Sequence, residues 1–163
     1  MENVMIKSKQ ELFEAIDAAG LPASLKKVWS GDVTDSLKYE LQNPSSLFEA
    51  FLSYPEGFPS ADELLILWQT NGDSITGYLR NSGVFIRNYL EDGPEVVQVL
   101  GSTFQQMISE LISKYISCEY DKEELKEITE FLEFQYLDEL EEFVKTNPAW
   151  EENTAAFIAE LEK

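Results

Sequence analysis

Between residues 64 and 100 the apolar pattern leaves helical spacing, which points to a sheet set among helices. Ile75 to Leu79, Val84 to Tyr89 and Val96 to Leu100 are rich in β-branched and aromatic residues. Ahead of them lies the short apolar run Leu64–Trp68, whose period alone suits either a buried strand or a helix. Asn71-Gly72, Asn81-Ser82-Gly83 and Glu91-Asp92-Gly93-Pro94 punctuate these runs with residues that favour turns. The expectation is a β-meander over 62–100.

Helical spacing flanks this region on both sides. Ser8 followed by Glu11 has the capping-box pattern, Leu12, Phe13, Ile16 and Ala19 recur at helical intervals, and Gly20 suits the exit. A short helix from about Pro22 would set Leu25, Val28 and Trp29 on one face and end at Gly31. Asp35 to Leu41 and Pro44 to Leu52 read as further short helices, the second anchored by Phe48, Phe51 and Leu52. After a cap at Ser102 or Thr103, Phe104, Met107, Ile108, Leu111, Ile112 and Tyr115 form an apolar stripe. One long helix is expected from Lys122 to Val144, with Leu125, Ile128, Leu132, Tyr136, Leu140 and Phe143 in phase. Pro148 can open a last helix carrying Trp150, Phe157, Ile158 and Leu161. With no internal repeat or linker composition, the chain reads as a single α+β domain over 1–163. Its largely antiparallel or mixed sheet would be packed by helices, with a helical C-terminal extension at 102–163.

A hydrophobic share of 44% and an aromatic share of 12% exclude an acidic disordered segment and call for a packed core. The net charge is nevertheless −19, and residues 119–163 hold 15 Asp and Glu against four Lys. Such a field repels phosphate backbones and anionic membranes, so neither nucleic acid nor membrane is an expected partner. It attracts basic proteins and speeds their encounter. A solvated helix face accounts for much of the same pattern, although so few lysines leave self-repulsion uncompensated. Met1 to Lys7 lacks the features of a signal peptide, no apolar run approaches the ~20 residues of a membrane span, and the lone Cys118 cannot form an internal disulfide. A cytoplasmic location is expected, with Cys118 filling a helix end.

The chain contains no histidine, which removes the usual general base and the commonest transition-metal ligand. With one cysteine, no Cys/His zinc site can be assembled, and no phosphate-binding loop, dinucleotide fingerprint or nucleophile elbow occurs. No cofactor and no catalytic group is expected. A carboxylate pair cleaving a glycosidic bond is the remaining enzymatic alternative, and ordinary turns explain Asn71-Gly72-Asp73 and Glu91-Asp92-Gly93 better than calcium does. The expected activity is protein binding. Candidate partner-contacting residues in the strand region are Trp68, Asp73, Tyr78, Arg80 and Arg87, several of them types favoured at interface hot spots. On the acidic helices the candidates are Glu127, Glu130, Asp138 and Glu141. Equally ordinary roles are core packing for the aromatics and local ion pairs for the arginines. A possible homodimer or larger assembly through the apolar face of 122–144 is a further alternative.

The order of these pieces resembles the SUKH superfamily, which includes bacterial immunity proteins and relatives of a fungal cell-wall assembly regulator. The resemblance is carried by Leu21-Pro22 followed by Leu25 and Trp29, and by Leu64–Trp68 leading into Asn71-Gly72-Asp73. It continues through Tyr78-Leu79, Gly83-Val84-Phe85-Ile86 and Val96–Leu100. Gly101-Ser102-Thr103-Phe104, leading to Met107-Ile108 and Leu111-Ile112, closes it. It is best over 63–117 and implies a sheet packed by helices with no catalytic apparatus. It also implies an antitoxin role: neutralising a toxin, often a nuclease whose substrate-binding surface is basic, by direct binding.

Overall fold

A computed structural model of the chain describes residues 4–163; Met1 to Asn3, the start of the segment read for a leader, lie outside the described residues. The fold is α+β, with a four-stranded antiparallel sheet and seven α-helices among the described residues. The chain divides into two compact units, Met1–Leu100 and Gly101–Lys163.

In the first unit, helices α1 (Lys9–Ala18), α2 (Ser24–Val28) and α3 (Ser45–Ser53) precede the strands β1 (Leu64–Thr70), β2 (Ser74–Leu79), β3 (Val84–Tyr89) and β4 (Gln98–Gly101). Strand order follows the sequence, as short connections require. Asn71 and Gly72 both take positive φ, and the Asp73 N–H donates to the Thr70 carbonyl at 3.3 Å. That is the tight turn whose twist matches an antiparallel pair. Leu64 to Trp68 are all buried, and the pairing with β2 shifts register between Ile66 and Trp68. The extra residue forms a bulge, and Gly77 lies opposite Ile66 at its edge.

Ser8 caps α1 by accepting from the Glu11 N–H at 3.1 Å, while the Glu11 carboxylate accepts from the Lys7 N–H at 2.8 Å. The expected box is thus present, with its return bond one residue further out. A chain of rings then ties the helices together. Phe13 meets Trp29 edge-on with centroids 6.0 Å apart, Trp29 meets Phe48 at 5.3 Å, Phe48 stacks on Phe51 at 5.9 Å, and Phe51 meets Phe58 at 5.5 Å. Leu52, expected among the anchors of α3, is exposed, because the helix turns Phe48 and Phe51 inward instead. Of the helix expected at 35–41 only a 3-10 turn forms, Asp35–Leu37. The chain there continues into Gln42, which bridges to β1.

In the second unit, α4 (Phe104–Ser117) packs against α5 (Lys122–Leu132), α6 (Leu137–Thr146) and α7 (Trp150–Leu161). Thr103 caps α4, and Cys118 is its exposed C-terminal cap residue. The single helix expected over 122–144 is two helices. Glu133 stands in the left-handed region, φ 55° and ψ 37°, and the Phe134 N–H turns back to the Thr129 carbonyl at 2.9 Å. The side chain of Gln105 holds this break open. Its Nε2 donates to the Glu133 carbonyl and its Oε1 accepts from the Gln135 N–H, each at 2.9 Å. The break turns Leu125, Ile128, Leu132, Phe134 and Leu140 into the unit's own core.

Gly77 sits where no side chain fits, since a Cβ there would lie 2.9 Å from the Leu65 carbonyl oxygen and 2.7 Å from Leu64 Cδ1. The Gly77→Ala substitution is expected to cost about 2 kcal/mol by overpacking, read as a lower urea midpoint at unchanged slope.

Candidate functional site

The candidate residues fall into two groups, one in each unit. In the first unit, Trp68 is buried in β1 and Tyr78 is half-buried in β2, its ring 4.6 Å from that of Phe85. Both belong largely to the interior. Arg80, just past β2, is half-buried, and its guanidinium is occupied by backbone carbonyls. Nη2 donates to Val4 O at 2.7 Å and to Asp62 O at 3.1 Å, and Nε to Glu63 O at 3.4 Å. Burial lowers the Arg80 pKa from its ordinary value, and the charges of Glu63 and Asp62 oppose that shift.

Arg87 lies in β3 opposite Thr76, and Nη1 reaches Gln98 Oε1 in β4 at 3.4 Å. Asp73 is exposed in the first turn, and its carbonyl accepts from the Leu90 N–H at 2.9 Å. Asp73 therefore sits at the same end of the sheet as the acidic 3-10 turn Leu90–Asp92. Arg80, by contrast, belongs to the β2–β3 connection at the opposite end. The five strand-region candidates do not converge on one patch.

Sequence reasoning passed over Glu63, which is buried although it is one of 31 acids. Its Oε2 accepts from the backbone N–H groups of Asn81 (2.8 Å) and Ser82 (3.1 Å), and its Oε1 from the Ser82 hydroxyl (2.9 Å). The carboxylate fastens the β2–β3 turn. No sequence signal beyond its place at the foot of an apolar run distinguishes it.

In the second unit, Glu127 and Glu130 are exposed on α5, Asp138 is exposed on α6 and Glu141 is half-buried there. They share these helices with exposed Glu123, Glu124, Glu139 and Glu142. Position explains part of this charge. Glu123 and Glu124 in α5, Asp138 and Glu139 in α6, and Glu151 and Glu152 in α7 occupy first turns, where the helix dipole favours negative charge. Glu130 and Glu133 do the reverse. They crowd the C-terminal end of α5, whose last turn carries no basic residue, although Lys126 reaches Glu130 at 3.9 Å. Glu133 additionally holds a conformation that favours glycine.

Among the described residues no group of three or more His, Cys, Asp or Glu is arranged to hold a metal ion. No helix among them is long and apolar enough to cross a membrane. An open groove of about 540 Å³ runs along α1, lined by Lys9, Gln10, Phe13, Glu14 and Asp17, with Asp17 paired to Lys26. Comparison with family models, with curated proteins and with solved structures gives no match.

Two substitutions separate structural acids from the rest. Glu63→Ala is expected to lose about 2 kcal/mol with its three charge-assisted bonds, and hydrogen exchange at the Asn81 and Ser82 amides should quicken. Glu133→Gly is expected to gain about 1 kcal/mol by relieving the left-handed residue, visible as a higher thermal midpoint.

Proposed function

We propose that the chain is a non-catalytic, SUKH-like immunity protein of the cytoplasm that neutralises a basic toxin domain by direct occlusion. The observation that carries this reading is the exposed acid on and just after α5 that helix stability does not explain. Glu130 and Glu133 stand against the α5 dipole, and Glu127 lies on the same helix outside the first turn. A residue pattern that costs local stability is the kind a binding surface retains. An excess of one sign of charge speeds capture of an oppositely charged partner and makes the complex sensitive to salt. A nuclease offers such a partner, because the surface it presents to nucleic acid is basic. The order of turns and strands that resembles the SUKH superfamily supports the same reading. Of the apolar stripe of 122–144, Leu125, Ile128, Leu132 and Leu140 are buried and Tyr136 and Phe143 half-buried.

The test is capture from a lysate of the source organism on the immobilised full chain at low salt, with elution along a salt gradient. One basic protein, held in defined stoichiometry and released only at high ionic strength, is expected. It should bind Glu127→Lys and Glu130→Lys variants at least about tenfold more weakly. An empty column, or capture that the charge reversals leave untouched, would overturn the proposal.

A further inference from the structure

The sheet has two edges, and they are treated differently. At β1 Leu64–Trp68 are buried, and Gln42 exchanges both backbone hydrogen bonds with Gln69, at 3.0 and 3.1 Å. The Gln69 side chain also donates to the Asn43 carbonyl at 3.1 Å, and the Thr70 hydroxyl to the Glu40 carbonyl at 2.7 Å. At β4 no strand lies beyond among the described residues.

Isolated edges are normally guarded by lysine, proline or a bulge. Here Val96 is 56% and Val99 61% exposed, Val97 and Gln98 are exposed as well, and no charged residue occurs from Val96 through Ser109. The approach to the strand is equally specific. Asn88, fully buried in β3, donates from Nδ2 to the carbonyls of Gly93 and Val96, each at 2.9 Å. That clamp fixes the chain entering β4 before any partner arrives, which lowers the ordering cost of binding.

We infer that the β4 edge is a strand-addition site for an extended segment of the basic partner, its apolar side chains alternating with Lys or Arg. This rests on the proposed function. The occupant follows from charge complementarity. Glu91, Asp92 and Glu95 are exposed just ahead of the edge, and against these three acids stands one cation of the neighbouring strand, Arg87, whose Nη1 lies 3.4 Å from Gln98 Oε1. A second copy of the chain would bring its own three acids and a net charge of −19 against the same place. A basic extended segment meets the acids favourably while its backbone continues the ladder and its apolar side chains cover Val97 and Val99.

The experiment uses the full chain, isotopically labelled, and a capped eight-residue peptide alternating valine and lysine as probe. A peptide alternating valine and glutamate is the control. Saturating basic peptide is expected to slow hydrogen exchange of backbone amides within 97–100 by at least about tenfold, the mark of new backbone hydrogen bonds, while the control has no effect. Val99→Lys should abolish that protection and Val99→Thr should keep it, with circular dichroism showing both variants folded. Binding of the basic peptide without protection at 97–100 overturns the edge assignment and leaves the basic-partner reading intact. If neither the peptide nor any basic protein from the capture experiment binds, both fall. Protection at 97–100 that grows with protein concentration alone also overturns the inference, because the occupant is then a second copy.

Discussion

The first unit depends on one corner, where Glu63 and Arg80 face opposite demands of the backbone. The carboxylate collects the N–H groups of Asn81 and Ser82, and the guanidinium collects the carbonyls of Val4, Asp62 and Glu63. The Glu63 carbonyl also accepts from the Arg80 N–H at 3.0 Å, and a backbone group left unpaired away from water costs about 1–3 kcal/mol. One acid and one base thus join the N-terminal segment, the foot of β1 and the β2–β3 turn. The meander above that corner can then be built from short strands, because its ends are held by charge-assisted bonds rather than by length.

Legibility from sequence divides along physical lines. Turns announced by their own residues were readable: Asn71-Gly72 and Gly83 all adopt the positive φ that those residue types tolerate. The cap at Ser8 was readable for the same reason, since the signal lies within four residues, and of the two candidates Ser102 and Thr103 it is Thr103 that caps α4. The break at Glu133 was not. A glutamate in the left-handed region carries no local signature, and the side chain that holds the break, Gln105, is 28 residues away. β4 begins at Gln98 rather than Val96, because Asn88 takes the Val96 carbonyl for the preceding loop. Among the candidate site residues, the helical period correctly set Glu127, Glu130 and Asp138 on exposed faces. It could not show that Arg80 would be occupied by carbonyls, which are invisible in a list of side chains.

Both units use charge, in contrasting ways. In the first, the buried carboxylate is fully hydrogen-bonded and acts as a rivet. In the second, acids stand in water in numbers that local structure only partly rewards: first-turn residues gain from the helix dipole, whereas Glu130 and Glu133 oppose it. The difference between acids that hold the fold and acids that burden it is a guide to function that composition alone does not offer.

The unequal edges of the sheet also limit what assemblies it can form. Open-ended growth by strand addition needs two free edges per molecule, so that each newcomer offers a fresh template. With Gln42 bridged to Gln69 and Leu64–Trp68 buried, β1 offers an arriving strand little backbone, so β4 is the edge left to a newcomer under that inference. On the strand addition inferred at β4, the molecule would be monovalent toward extended chains: it would terminate a growing ribbon without propagating one.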